Sequence, residues 1–254
     1  MILDYHIHVV AHGEYPYTVE WLEKYINQAR LLGIDEIGFS DHDEFFHNID
    51  LNVFAHVKKQ NLDLPIKLGL EMDYQPDLEK DIKNTINLVD FDYIIGSVHY
   101  INGWAFDHPD FKHKFQGQDI DIIYQEYFDL LNKAVKSNLF DVVGHIDLIK
   151  KWGNRPIKND VLTYIKPVLE NIKDANLVVE LNSAGLRKEV REVYPQYEII
   201  ELMKRMDIPI TLGSDAHHPE EVGLGLDKLV FLAKKAGYND IVSFDKREKF
   251  FRSF

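Results

Sequence analysis

The amino-acid sequence predicts an α/β fold, a closed barrel of about seven parallel strands that alternate with helices. Short apolar strand candidates and helical segments alternate along all 254 residues, without a repeat or a linker rich in Gly, Ser or Pro. This alternation implies a parallel sheet with right-handed crossovers. Histidines and carboxylates follow the strand candidates one after another, and residues from so many strand ends meet at one point only if the sheet closes. We therefore predict one domain, residues 1–254.

The first strand candidate, Leu3–Val9, carries two histidines at alternate positions. Side chains on a strand alternate between its two faces, so His6 and His8 point the same way. Two imidazoles side by side at a strand end can chelate one metal ion. A strand that happens to carry two histidines explains this short pattern equally well, so the later residues must decide.

Three further strands are predicted in the first half of the chain. Thr18 is placed to cap the first helix, and Gly33 to end it. The predicted helices are Val19–Leu32, Leu51–Gln60 and Asp77–Leu88, and the predicted strands are Ile34–Ser40, Ile66–Leu70 and Phe91–Ser97. A long loop rich in aromatic residues, Tyr100 to about Phe115, follows.

The second half of the chain continues the alternation. Its predicted helices are Asp119–Ser137, Asn159–Ala175, Gln196–Met206 and Gly225–Ala236, and its predicted strands are Phe140–Val143, Leu177–Leu181 and Ile208–Leu212. The residues after the last helix are predicted to form an amphipathic tail.

The composition excludes several classes of site and partner. There is no cysteine, so any metal must be held by nitrogen and oxygen. The formal net charge of −13 argues against non-specific nucleic-acid binding, which depends on a basic surface. No apolar run approaches the ~20 residues that cross a bilayer, and the first residues do not resemble a signal peptide. We expect a cytoplasmic protein without a membrane partner.

Most of the histidines share one position relative to the strands. Seven of the twelve lie at or just after strand ends, namely His6, His8, His12, His42, His99, His145 and His217. Glu71 and Asp215 occupy the same kind of position. A single histidine there is more often packed or exposed without function, but a random scatter would not collect the whole set. The set predicts a metal site.

These residues resemble the motifs of the polymerase and histidinol phosphatase (PHP) superfamily. The motifs are His-x-His, Asp-His, Glu, a Ser-x-His-like motif, Gly-His and a final Ser-Asp-Ala-His, and they occur here in that order between Asp4 and His218. The strings around Gly96–Tyr100, Gly144–Ile149 and Glu180–Lys188 resemble the histidinol-phosphate phosphatase branch. The resemblance implies a distorted (β/α)7 TIM-like barrel.

The resemblance also implies three divalent metal ions, which would be zinc, manganese or iron. By position, the first ion would be held by His6, His8 and Asp215, the second by Glu71, His99 and His145 with Glu71 bridging, and the third by His12, His42 and His217. His12 lies closer to His8 than in many family members. Asp4, Asp41 and Asp147 could orient the imidazoles by accepting a hydrogen bond from the ring nitrogen that does not bind metal.

The activity implied is hydrolysis of a small phosphomonoester, most specifically L-histidinol phosphate. A hydroxide bridging two ions would attack phosphorus in line, because coordination lowers the pKa of water to about 7. The third ion would neutralise phosphate oxygens, and Arg155 and Arg187, with Ser183 nearby, could grip them. Asp215, His217 or a metal-bound water are candidates for protonating the leaving group.

The aromatic loop is the candidate binding site for the part of the substrate beyond the phosphate group. Tyr100 and Trp104 could hold an imidazole and an ammonium group, although aromatics that only pack over the barrel mouth explain the pattern slightly better. The oligomeric state is left open by the sequence.

Three alternatives are open at this point. Another PHP phosphoesterase, such as a phosphotyrosine phosphatase or an exonuclease, would use the same metal motifs, but an exonuclease conflicts with the acidic composition. A metal-dependent amidohydrolase commonly needs a lysine at a strand end, where this chain has Glu71. A non-catalytic metal-binding domain would leave Arg187 and Ser183 without a purpose.

Overall fold

The computed structural model describes residues 1–254 and contains one sheet of seven parallel strands. The strands are β1 (Leu3–Asp4), β2 (Glu36–Phe39), β3 (Ile66–Asp73), β4 (Tyr93–Ser97), β5 (Val142–Val143), β6 (Val178–Asn182) and β7 (Ile210–Gly213). Each strand pairs in parallel with the next along the chain. The predicted strand count, direction and order are confirmed.

The two edge strands of this sheet meet and close it. The backbone N–H of Tyr5 donates to the carbonyl of Leu212 (3.0 Å), and that of His8 donates to Ala216 (2.8 Å). Ile7 and Ala216 form an isolated parallel bridge at the same seam. The prediction of a distorted (β/α)7 barrel is therefore confirmed, and the distortion lies where this seam replaces a continuous ladder.

The first strand is shorter than predicted because the residues after Asp4 hydrogen-bond alternately to the two neighbouring segments. The Ile7 carbonyl accepts from the backbone N–H of Ser40, after β2, and the His8 N–H donates to Ala216, after β7. Strand β3 is longer than predicted and runs through Glu71 to Asp73. Glu71 is therefore held inside a strand and not at its end.

Seven helices connect and cover the strands. They are α1 (Val19–Leu31), α2 (Leu51–Gln60), α3 (Glu79–Ile86), α4 (Ile120–Lys136), α5 (Val161–Asp174), α6 (Tyr197–Arg205) and α7 (Leu226–Ala236). All seven were predicted within a few residues, including the cap of α1, where the Thr18 hydroxyl accepts from the Trp21 N–H. No helix combines the length and the apolar character that a bilayer crossing demands.

Two β-hairpins were not predicted. The aromatic loop contains a small hairpin, Tyr100–Ile101 with Trp104–Ala105, and then a 3₁₀ helix, Pro109–Phe115. The residues after α7, predicted only as an amphipathic tail, form the second hairpin, in which Asp240–Asp245 pairs with Glu248–Ser253. The turn of this C-terminal hairpin places Lys246 and Arg247 at positive φ, a geometry that usually signals itself through Asn or Gly.

The C-terminal hairpin contributes to the core of the barrel. Its Phe244 ring packs 6.2 Å from Tyr5 and 5.9 Å from Tyr93, and those two tyrosines stack with centroids 4.6 Å apart. The Tyr93 ring lies so close to β2 and β3 that a Cβ at Gly38 or Gly69 would come within 2.4 Å of it. All the buried apolar residues except Ala11 form one contiguous cluster of 71 residues, although a single domain for residues 1–254 stays a prediction.

The hairpin's contribution to stability can be measured with two phenylalanines. Phe244 is 1% exposed and Phe251, on the pairing strand, is 65% exposed. Phe244→Ala should lower the free energy of unfolding by about 3–5 kcal/mol, because it empties a packed site. Phe251→Ala should change it by less than about 0.5 kcal/mol. Urea denaturation measures the free energy of unfolding of both variants. A loss in Phe244→Ala as small as that in Phe251→Ala would show that the hairpin is not part of the core.

Candidate metal centre

Five imidazoles converge inside the carboxyl end of the barrel around the carboxylate of Glu71. The two nearest imidazoles are those of His42, with Nδ1 2.8 Å from Oε2, and His145, with Nε2 2.9 Å from Oε1. The Nε2 atoms of His6, His8 and His99 lie 3.3, 3.5 and 3.6 Å from the same carboxylate. Four strand ends and the interior of β3 therefore supply one cluster.

This environment keeps Glu71 ionised although it is 1% exposed. Burial alone would raise the pKa of its carboxyl group, but the facing imidazoles of His6, His42 and His99 lower it well below its usual range. Asp215 behaves in the same way, since burial is outweighed by His6 and His8 and its pKa also falls. Its Oδ1 lies 3.4 Å from His8 Nε2.

The potential ligand atoms fall into four overlapping groups. Within each group, all ligand atoms lie within 4.8 Å of one another; the groups are His8, His42 and His217; His6, His8 and Glu71; His6, His145 and Asp215; and Glu71, His99 and His145. Eight of the nine residues predicted as ligands belong to these groups. His8 joins His42 and His217 as well as His6, so its imidazole lies between two of the predicted ion positions.

Several ligand atoms in this cluster are buried without a hydrogen-bond partner. They are His6 Nε2, both ring nitrogens of His8, Glu71 Oε2 and His145 Nδ1. Buried polar atoms are normally paired, and nitrogen and oxygen atoms that approach without hydrogen-bond geometry are what a shared cation produces. The donor set is imidazole and carboxylate, which suits divalent transition metals. These residues therefore form a site for divalent metal ions.

His12 is the one predicted ligand outside the four groups. Its ring centroid lies 4.7 Å from that of His217 and 5.4 Å from that of His42, so the three rings do face one another. The side chain is nevertheless 59% exposed, and the backbone N–H of His12 donates to Glu14. The shortened loop after His8 leaves the ring above the centre, and its ligand role stays a prediction.

Glu180 was missed as a member of the site. It lies in β6, 1% exposed, and its Oε1 is 2.6 Å from His6 Nδ1. Its Oε2 accepts from the backbone N–H of His145 (2.9 Å) and from Asn182 Nδ2 (3.0 Å). The signal was an acidic residue inside the apolar strand Val178–Asn182. A partner of this kind orients the imidazole and raises its basicity.

Ser97 and Asp73 support the other side of the centre. The Ser97 hydroxyl donates to Glu71 Oε1 (2.6 Å), and Asp73 Oδ1 lies 3.3 Å from His99 Nδ1. Burial lowers the pKa of His99, but Glu71 and Asp73 outweigh it and raise that pKa to about 10. Asp73 lies in the part of β3 beyond its predicted end, and Ser97 is the last residue of β4, so both side chains come to lie beside the ligands.

The three aspartates predicted to orient the imidazoles bind other groups in the structure. Asp4 accepts from the Ser214 N–H and hydroxyl and from the Gly223 N–H, and so ties β1 to the loop after β7. Asp41 accepts from the Val10 N–H. Asp147 lies 2.8 Å from the buried Lys150 ammonium. None of the three forms a hydrogen bond with an imidazole, so that suggestion is corrected.

A cavity of about 770 Å³ opens above the centre. Beyond the ligands, its wall is mainly acidic: Glu14, Asp43, Glu44, Asp73, Asp107 and Glu221 line it, against the two cations Lys151 and Lys188. Lys151 is already paired with Asp107 at 3.2 Å. A ligand that enters therefore meets carboxylates at the rim and the metal ligands below.

The five residues predicted to bind substrate are placed differently from one another. Only Tyr100, 37% exposed, lines the cavity. Trp104 donates from Nε1 to the Phe111 carbonyl and packs on Phe115, which agrees with the simpler interpretation of packing over the barrel mouth. The Ser183 hydroxyl is buried and donates to the Leu224 carbonyl. Trp104 and Ser183 do not line the cavity.

The two arginines differ in how far they are already paired. Arg155 donates to Glu192 (2.7 Å) and Gln196 and lies outside the cavity lining. Arg187 donates from Nη2 to the carbonyls of Ser214 and Asp215, next to a metal ligand. Its Nε and Nη1 atoms are buried without a hydrogen-bond partner. Arg187 Nε also lies 3.4 Å from Glu221 Oε1, so Nη1 is its one donor without a partner. Arg187 itself is outside the cavity lining, and Arg155 is engaged by Glu192.

The chain matches family models over most of its length. The model described as PHP domain matches residues 4–184, and the model described as PHP-associated matches residues 197–227. A probable histidinol-phosphatase of Deinococcus radiodurans is 40% identical over 160 residues, which span 63% of this chain and 60% of that protein. A histidinol-phosphatase of Lactococcus lactis subsp. lactis is 26% identical, with 97% of each chain covered.

Among solved structures, one with a similar fold covers 98% of both chains. It is the Lactococcus lactis subsp. lactis histidinol phosphate phosphatase complexed with zinc, L-histidinol and phosphate, at a TM-score of 0.79 and 22% sequence identity. This likeness agrees with the closed seven-stranded barrel described above.

The support that Glu180 gives the centre can be tested with one substitution. Glu180→Gln keeps the shape of the side chain but removes the charge beside His6, so metal affinity should fall by about 10- to 100-fold. Competition with a chelator, read as metal content, measures this. Glu189→Gln makes the same change on a half-exposed residue and should leave the metal content unaltered. Equal retention in both variants would show that Glu180 has no such role.

Proposed function

The chain belongs to the PHP domain family, and from this premise we propose that it hydrolyses L-histidinol phosphate to L-histidinol and phosphate. It is a hydrolase of the phosphomonoesterase class, as are the relatives named histidinol-phosphatase. The observation that carries the proposal is the buried Glu71 carboxylate, surrounded by five imidazoles, at the floor of a cavity large enough for a small ester.

We assign three ion positions to the overlapping ligand groups, with Glu71 between two of them. His6, His8, Asp215, His99, His145, His42 and His217 would complete the positions, and His12 would approach the last one from the cavity side. Bound divalent ions would supply a water of lowered pKa for attack on phosphorus and would offset the charge of the phosphate. Zinc, manganese and iron all suit this donor set.

The chain's own residues would orient the ester. The Nη1 atom of Arg187, which has no hydrogen-bond partner, would donate to a phosphate oxygen, and the carbonyls that Nη2 already binds fix the guanidinium beside Asp215. Asp215 and His217 both line the cavity and remain the candidates for handling the proton of the leaving group.

The acidic rim favours a substrate whose remaining part is cationic. L-Histidinol phosphate carries an ammonium group and an imidazole, which carboxylates such as Asp43 and Glu44 attract. The same rim would repel an oligonucleotide, whose charge is spread along its length, and so disfavours an exonuclease. A phosphotyrosine phosphatase or a non-catalytic metal-binding domain would not require this charge pattern.

A panel of substrates tests the proposal. Phosphate release should be fastest by far from L-histidinol phosphate, compared with p-nitrophenyl phosphate, phosphotyrosine and a short oligonucleotide, and a chelator should abolish it. Activity confined to phosphotyrosine or to the oligonucleotide would refute the proposed substrate and keep the metal centre. A metal-loaded protein that released phosphate from none of them would refute the enzymatic assignment.

Glu71 tests the metal centre independently of the substrate. Glu71→Gln removes the one charge that five imidazoles share, so turnover should fall by at least about 10³-fold. Thermal unfolding should show that the barrel still forms, since its closure depends on backbone hydrogen bonds elsewhere. Unchanged turnover in a folded variant would contradict the assignment of Glu71 as a bridging ligand.

The two arginines make a matched pair of variants. Arg187→Ala should raise KM about tenfold or more with little change in metal content, because it removes a guanidinium with an unpaired donor, Nη1, next to the centre. Arg155→Ala removes a guanidinium already paired with Glu192 and should change KM much less. Steady-state kinetics with metal analysis measures both. A larger rise in KM for Arg155→Ala would reverse the assignment.

A further inference from the structure

Tyr194 is a cavity residue that neither the metal ligands nor the predicted substrate contacts include. It lines the cavity, and its ring lies edge-on to that of the metal ligand His145, with centroids 6.4 Å apart. The residue is 1% exposed and its hydroxyl has no hydrogen-bond partner. A buried hydroxyl without a partner is uncommon and costly, so it calls for an explanation.

The position of this ring is fixed from three directions. The backbone of Tyr194 exchanges two hydrogen bonds with Asn182, at 2.6 and 2.8 Å. Gly185 packs so closely that a Cβ there would lie 3.0 Å from the Tyr194 ring. The buried ammonium of Lys150 lies 5.4 Å from the ring centroid. The phenol is therefore held in one place before any ligand arrives.

The Tyr194 hydroxyl is a hydrogen-bond donor at neutral pH, because a phenol ordinarily loses its proton only near pH ~10. Two carboxylates, Asp215 and Asp107, line the same cavity. The hydroxyl is thus a neutral, rigidly held donor on the wall of a metal site.

We propose that the Tyr194 hydroxyl donates a hydrogen bond to an oxygen of the phosphate group in the bound phosphomonoester. The inference rests on the proposed phosphatase function and assigns a further catalytic residue to that site. The bound phosphate oxygen supplies the acceptor that the protein itself does not provide. No proton is transferred by Tyr194, since hydrolysis consumes one water and returns its hydrogens to the alcohol and the phosphate.

Tyr17 provides a matched control. Its hydroxyl is likewise buried without a hydrogen-bond partner, but Tyr17 does not line the cavity. Tyr194→Phe and Tyr17→Phe therefore delete the same atom from two buried phenols, and only one of them faces the site. Both variants keep the ring, so packing is preserved.

The test compares the two variants as metal-loaded proteins. The dissociation constant of inorganic phosphate, measured by calorimetry, should rise about tenfold or more in Tyr194→Phe, because a hydrogen bond to a charged acceptor is lost. The kcat/KM for p-nitrophenyl phosphate should fall by a similar factor. Both quantities should be unchanged in Tyr17→Phe, and metal content and thermal stability should match in the two variants.

Several outcomes would overturn the inference. Unchanged phosphate affinity in Tyr194→Phe, an equal loss in Tyr17→Phe, or a wild-type protein that binds no phosphate would each refute the contact. The proposed substrate fails separately, through a wild-type protein that hydrolyses p-nitrophenyl phosphate but not L-histidinol phosphate. In that case the two phenylalanine variants still decide the role of Tyr194.

Discussion

The buried carboxylate of Glu71 is the interaction on which the arrangement of this protein depends. An anion that is 1% exposed is stable only if positive or hydrogen-bonding groups surround it, and here the nearest imidazole and hydroxyl atoms lie within 2.9 Å. Those groups come from strands that are far apart in sequence. They meet because the sheet closes, so the metal centre depends on barrel closure, whereas closure itself is made by backbone hydrogen bonds at the seam.

Much of this could be predicted from sequence because the governing periodicities are simple. Alternating strands and helices fix a parallel sheet, and the period of two along a strand places His6 and His8 together, with rings 4.9 Å apart. Glu180 escaped prediction because a lone acid in an apolar strand resembles a solvated or structural residue until its partner is known. The C-terminal hairpin escaped because its Lys246–Arg247 turn lacks the residues that usually mark positive φ.

The sequence constrains side chains outside the barrel strands less than those on them. His12 is ordered by a short loop and not by the sheet, and it lies outside the ligand groups. Arg155 and Trp104 have the right chemistry for substrate binding, but each is satisfied by another protein group, Glu192 in one case and the Phe111 carbonyl in the other. The sequence shows which side chains could bind a phosphate or an aromatic ring. Whether such a side chain is already hydrogen-bonded to a neighbouring protein group depends on how the chain packs.

The seam between the first and last strands also bears on how the protein is made. Asp4 is bonded to Ser214, 210 residues away in the chain, and the ligand groups combine His6 and His8 with Asp215 and His217. A nascent chain that has emerged from the ribosome only as far as β6 has not yet formed the seam. It also lacks Asp215 and His217, so the two ligand groups that include one or the other of these residues are incomplete. Those two groups can therefore be completed only after the final barrel strand has been synthesised.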